Sequence, residues 1–219
     1  YMDEYKASGD EDANSTSAPQ GAILSFIAAN AAAVGLQITG EIISGGYTVI
    51  AGFEIANFTK EKISMDKVDV IHGCIATTPL DIAPAEDMKF SARKENLSFH
   101  GTEGAVCFTI ADRVLFLYWQ VPLTDLGGSN EIAIAFGKKG QKKDDIYKYG
   151  SQIRQFHQFK NHWAAWDWHV YDDKMRFVQI HDETFAVRGM MDTSRKPTIK
   201  IDVVPMDKSQ FADKLQKYV

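Results

Sequence analysis

Cysteine is nearly absent: Cys74 and Cys107 are the two thiols in a chain of 219 residues. Two cannot build a disulfide framework, and no Cys-x-x-Cys pair exists for zinc or redox chemistry. Two readings stay open, a pair of small thiols buried on strands or a single bridge. Basic charge is also scarce. The net charge is −5, and residues 1–20 contribute −4 of it, so the rest of the chain carries only −1. A body so near neutrality suits nucleic acid poorly, since that affinity rests on many Lys and Arg contacts to phosphate. Gly-x-Ser-x-Gly, phosphate-loop, dinucleotide-loop and His-Glu-x-x-His patterns are all missing, and no acid–base pair of carboxylates is legible. Neither an enzyme nor a cofactor is expected. Of six histidines, His157, His162 and His169 lie nearest to one another, but their spacings of five and seven fit neither a helical nor a strand metal pair. Hydrogen-bonding roles are expected for them. The opening Tyr1-Met2-Asp3 brings no basic and apolar signal run. No internal repeat is visible.

What is present begins with a polar, acidic, Ser- and Ala-rich leader over residues 1–20, read as disordered. Residues 21–44 differ sharply. From Gly21 to Gly40 there is no charge, and Ile23, Ile27, Val34 and Ile38 recur at helical spacing. Ser25, Asn30 and Gln37 are among its polar members, and Glu41 follows. The stretch has about the length of a membrane span, since ~20 helical residues cover ~30 Å, yet Ala, Gly, Ser and Asn dilute it. A helix buried against a sheet and a helix that enters a membrane are both open readings.

Beyond Gly45 the pattern is that of strands. They are predicted over 47–55, 67–75, 104–110, 114–121, 131–136, 166–170, 176–180, 185–190 and 198–204. Ala111-Asp112-Arg113 marks a hairpin whose two runs are apolar on both faces, which predicts a central, doubly covered pair. Lys138, Lys139, Lys142 and Lys143 form a basic loop. Asp144 and Asp145 then head a short helix through Tyr147, Ile153 and Phe156. A short amphipathic helix is predicted over 207–218. Asn14, Asn57 and Asn96 open glycosylation-type triplets, a pattern that also arises by chance. The strongest compositional signal is aromatic: Trp163, Trp166 and Trp168 fall within six residues. Trp166 and Trp168 share a face if the segment is a strand. Core packing, a sugar-stacking platform and a membrane-interface anchor are all open for this cluster.

The ordered series of segments resembles the actinoporins, the sea-anemone cytolysins and their relatives. The resemblance runs from the apolar N-terminal segment and Gly52-Phe53-Glu54, through the stretch Gly104 to Lys143, to Arg188-Gly189-Met190-Met191-Asp192-Thr193-Ser194 and the strand after it. It covers about residues 21–204. It implies a mainly β fold, a compact β-sandwich flanked by helices, with a detachable apolar N-terminal helix. It also implies a secreted monomer that binds membrane lipids, often sphingomyelin, through a phosphocholine pocket. Such proteins assemble into a homo-oligomer and insert the N-terminal helix to line a pore. Carried onto this chain, the lipid site takes Gln120, Val121 and Pro122, with Tyr147 and Tyr149 from the short helix and His72 as a further candidate. Gln120 stands where the family has serine. The pore helix takes Ser25, Asn30, Gln37 and Glu41 toward the lumen, and the basic loop could attract anionic headgroups. The loop after Pro122 lacks the family's aromatics, so Trp163, Trp166 and Trp168 are expected to supply part of the membrane contact.

The organisation expected is a leader over 1–20, an inserting helix over 21–44, a membrane-binding body over 45–204 and a tail over 205–219. The function expected is a pore-forming cytolysin. The alternative is a glycan- or lipid-binding, lectin-like module on the same fold without a pore.

Overall fold

A computed structural model describes residues 48–124, 128–141, 163–172 and 176–219. The leader, the helix expected over 21–44 and the short helix expected from Asp144 to Phe156 lie outside the described residues. Eleven strands are formed among them: β1 (Ile50–Asn57), β2 (Ile63–His72), β3 (Cys74–Thr77), β4 (Asp87–Arg93), β5 (Thr102–Ile110), β6 (Arg113–Val121), β7 (Asn130–Gly137), β8 (Trp163–Tyr171), β9 (Val178–His181), β10 (Phe185–Met191) and β11 (Thr198–Pro205). They make two sheets, a six-stranded one in the order β3-β4-β1-β11-β10-β9 and a five-stranded one in the order β2-β5-β6-β7-β8. The expected β-sandwich is therefore present. The β5–β6 hairpin is central in its sheet and apolar on both faces, as its sequence predicts.

The inner faces alternate regularly. Phe53 and Ile55 of β1, Phe90 of β4 and Ile199, Ile201 and Val203 of β11 face Leu117 and Trp119 of β6 and Ile132 and Ile134 of β7. At the centre, Phe53 stacks on Phe90 at 4.1 Å, and Trp119 of the other sheet sets its edge against Phe53 at 5.0 Å. The Trp119 indole donates to Thr102 Oγ1 at 3.3 Å. Gly104 lies under the same indole: a Cβ there would fall 2.7 Å from Trp119 Cζ2. Buried aromatic pairs in this geometry add to the area they bury.

Two strands depart from expectation. The single strand predicted over 67–75 is two strands, because Gly73 takes φ +91° and turns the chain from one sheet into the other. A side chain there would meet Arg93 O at 2.3 Å. β4 was not predicted; its Met88, Phe90 and Ala92 alternate inward between Asp87, Lys89 and Arg93. The tail packs on the body: Phe211 is buried and bridges Thr59, and Ala212 N–H donates to Phe58 O at 3.0 Å. The helix expected over 207–218 is two 3-10 turns, Lys208–Gln210 and Asp213–Tyr218. The two cysteines form no disulfide, with Cys107 buried and Cys74 half-buried. Asn57 is also buried. Its amide donates to Glu61 O at 2.7 Å and its oxygen accepts from Thr59 Oγ1 at 2.8 Å, so it organises a turn and is closed to glycosylation.

Polar clamps join the sheets at both ends. At one end Arg113 of β6 reaches the β9–β10 turn, with Nε 2.6 Å from Asp182 and a terminal nitrogen 2.5 Å from Glu183. Burial alone would push the Asp182 carboxyl up, but donation from Phe185 N–H, Arg113 and Thr184 N–H holds it below the usual carboxylate range. At the opposite end Asn130 of β7 donates at 2.8 Å to both Asp192 O and Ser194 O in the β10–β11 turn.

Two stability measurements follow. Arg113→Ala leaves a buried carboxylate behind and should cost about 3–5 kcal/mol in urea unfolding. Asp182 contributes stability above the unfolded pKa that is lost as pH falls through its folded value, so the deficit of the variant should shrink in acid. Phe211→Ala should cost about 3–5 kcal/mol through cavity formation under the tail.

Candidate functional site

Strand register alone brings a polar row together. His72 of β2 pairs with Glu103 of β5, Glu103 with Gln120 of β6, and Gln120 with Glu131 of β7. Side chains opposite one another on paired strands lie close enough to interact. The row crosses the outer face of the five-stranded sheet at the Asn130 end. The Tyr118 hydroxyl lies 3.2 Å from Glu103 Oε1 and 3.1 Å from Gln120 Oε1 and joins the two side chains. Glu103 is 4% exposed, and its Oε2 stands 3.9 Å from His72 Nε2. The His72 ring stacks on His100 of the β4–β5 loop at 4.2 Å, with 7° between planes.

That loop is held by a glycine. A Cβ on Gly101 would sit 1.8 Å from Val121 O and 2.8 Å from the Pro122 carbonyl carbon. Backbone therefore lies on backbone, and between them opens a cleft of about 130 Å³ lined by His72, Phe99, His100, Glu103, Gln120, Pro122 and Leu123. Its described lining carries a carboxylate and two imidazoles but no lysine or arginine. Next along the row, burial pushes the Glu131 carboxyl up, the indole of Trp168 donates to it and pulls the other way, and the charge of Glu103 adds to the rise. Among the described residues no group of three or more His, Cys, Asp or Glu forms a metal site.

Four sequence candidates thus meet: His72, Gln120, Val121 and Pro122 border one cleft. Val121 contributes its backbone, since its side chain is in the core. Tyr147, Tyr149, Lys142, Lys143 and the helix candidates Ile23, Ser25, Ile27, Asn30, Val34, Gln37, Ile38 and Glu41 lie outside the described residues. Lys138 and Lys139 are exposed, but they follow the far end of β7, ~23 Å from Glu131 at ~3.3 Å per residue. Lys139 there pairs with Asp112 at 3.4 Å. Lys138 and Lys139 and the cleft therefore occupy opposite ends of the sheet.

The tryptophans divide. Trp166 and Trp168 share the outer face, as their spacing predicts, opposite Ala135 and Ala133. Trp163 reaches the same face because a bulge shifts the register between Phe136 and Gly137. Of the readings open for the cluster, Trp163 takes core packing: it is 6% exposed and packs against Phe116 at 5.1 Å. Trp166 is 37% exposed, and Trp168 is committed to Glu131. His169 accepts from Arg176 at 3.0 Å, the hydrogen-bonding role expected of it.

Sequence reasoning passed over Phe99, His100, Glu103 and Tyr118. The one local signal was the apolar pair Leu97 and Phe99 inside the polar loop Lys94-Glu95-Asn96-Leu97-Ser98-Phe99-His100.

No protein-family model matches the chain. It is 21% identical over 167 residues to conoporin-Cn1 of Conus consors, an alignment covering 75% of this chain and 66% of that protein, just under two thirds of its length. Among solved structures, the lipid-binding protein Nakanori superposes with a TM-score of 0.55 at 16% identity, covering 72% of each chain. At that identity the likeness shows a shared fold. The similarity to conoporin-Cn1 points in the same direction as the resemblance to actinoporins, at low identity.

Two measurements test the site as described. Gly101→Ala forces the loop off Val121 and should destabilise the protein by about 1–3 kcal/mol while opening the cleft. Glu131→Gln keeps an acceptor for Trp168. Because the folded carboxyl of Glu131 titrates above its unfolded value, the wild type loses stability as pH rises through that interval. The variant should melt higher than the wild type at neutral pH, and the gap should close below the ordinary glutamate range.

Proposed function

We propose that this protein binds membrane lipids through the cleft between the β4–β5 loop and Gln120-Val121-Pro122. The observation that carries the reading is that His72, Gln120 and Pro122, candidates separated by up to fifty residues, border one cleft. The lining favours a zwitterionic headgroup. A cationic end facing Glu103 is stabilised by its charge, whereas an anionic headgroup would meet a carboxylate and no described lysine or arginine. Phosphocholine lipids, sphingomyelin among them, fit this requirement. The similarity to conoporin-Cn1 and the fold shared with Nakanori support the reading.

The second part of the proposal is pore formation. Residues 21–44 are uncharged as far as Gly40 and amphipathic, a composition tolerable both against protein and in lipid. Insertion of this segment by a self-associated, secreted form would line a cation-permeable pore.

The test is dye release and co-sedimentation with vesicles of phosphatidylcholine and cholesterol, with and without sphingomyelin or phosphatidylserine. The full chain should bind without phosphatidylserine and keep binding in high salt, where exposed charges are screened. A version lacking residues 1–44 should bind without releasing dye. His72→Ala should weaken binding about tenfold, the effect of losing one contact of ~1.4 kcal/mol. Binding with no release by either version would make the protein a lectin-like module. Binding only to phosphatidylserine vesicles would overturn the zwitterionic cleft.

A further inference from the structure

The β4–β5 loop carries a feature that the cleft does not explain. Leu97 is 96% exposed and Phe99 is 91% exposed. Two large apolar side chains, almost wholly in water and two residues apart, have no folding role. Leu97 is also held at φ +62°, a backbone region that non-glycine residues enter at a cost. Asn or Gly would relieve that strain and remove the exposed apolar surface together. Ala85 and Ala111 share this backbone region, but Leu97 adds a large exposed apolar side chain to the strain, and the two together point to a use for that residue outside the folded monomer.

The position of the loop is fixed. Ser98 N–H donates to Glu95 O at 3.3 Å and His100 N–H to Ser98 Oγ at 3.0 Å, so the tip is a closed turn. Gly101 seats its base on Val121 and Pro122, and His100 stacks on His72. Phe99 therefore stands on the rim of the cleft, and Leu97 stands farther out. A surface that offers a polar headgroup to the cleft and hydrocarbon just beside it matches both features at once, and that surface is a lipid bilayer.

We infer that Leu97 and Phe99 form a hydrocarbon-inserting tip that seats the protein on the membrane with the cleft at headgroup level. The inference rests on the lipid-binding reading above and assigns the insertion to two side chains of the loop that also walls the cleft. Full transfer of a Leu or Phe side chain out of water is worth roughly a tenfold or greater change in partitioning.

The experiment uses the full chain and vesicles of phosphatidylcholine, sphingomyelin and cholesterol, some with brominated acyl chains. Phe99→Trp reports the tip by fluorescence, read as the difference from the wild type. Leu97→Asn and Phe99→Ser are scored for vesicle partitioning and for thermal unfolding. The expected result is a blue shift and bromine quenching of Trp at 99, with partitioning reduced about tenfold by each variant and about a hundredfold by both. Leu97→Asn should at the same time raise the melting temperature, because it relieves the strained backbone; a merely structural role would lower it. If the wild type binds vesicles while Trp at 99 is unquenched and both variants partition as the wild type does, the tip is overturned and the cleft stands. Altered sedimentation mass of the variants without lipid quenching would assign the tip to self-association and also overturn the inference. If the wild type binds none of these vesicles nor those containing phosphatidylserine, the lipid reading itself fails.

Discussion

The contact of Trp119 with the stacked pair Phe53 and Phe90 fixes the relation of the two sheets, and the site inherits its geometry from that contact. The indole fills the place where Gly104 has no side chain, and Thr102 satisfies its N–H. Gln120 and Val121 follow in the same strand, and Pro122 comes directly after it. A side chain locked in the core is therefore one residue away from the wall of the cleft, and Thr102 is one residue from its carboxylate, Glu103. The cleft has little freedom to drift relative to the core. A site built at the ends of rigid strands holds its groups more closely than one built on loops alone.

The sandwich also separates chemistries by end. The Arg113 clamp, Lys138 and Lys139 and the Asp112 turn lie at one end; the histidine pair, the polar row and the exposed tip lie at the other. A protein that met a membrane through the second end would present Lys138 and Lys139 to solvent. Surface attraction by those lysines would then be weak at the working distance, because a Debye length in physiological salt is about 8 Å and the strand between the two ends is more than twice that.

Much of the sandwich was legible in the sequence because its strands alternate or run apolar throughout. β5, β6, β7, β10 and β11 lie within about two residues of their predicted bounds. β4 was not read because charged residues occupy its outer positions, although Met88, Phe90 and Ala92 keep the period. The segment 67–75 was read as one strand because hydropathy does not record that Gly73 has positive φ. The cleft was half legible. Gln120-Val121-Pro122 came from the family resemblance, but the approach of His72 to His100 and Glu103 depends on register across three strands, which spacing in one sequence does not reveal. The side taken by Trp163 was not legible for a similar reason: a one-residue bulge reverses which face an odd-numbered position occupies.

In the six-stranded sheet β1 and β11 are parallel neighbours, with Gly52 opposite Thr198 and Asn57 opposite Val203. Nearly the whole described chain separates these partners. β1 can pair with β4 once residues 58–86, which include β2 and β3, have been made, but its other edge has no partner until β11 exists. Loop closure over such a separation delays the pairing, and an open edge of apolar strand is a template for another chain. During synthesis this protein therefore passes through a stage in which one sheet is cut down its middle. Mutations that slow the arrival of β11 should show first as low yield and aggregation, before any defect in the finished fold.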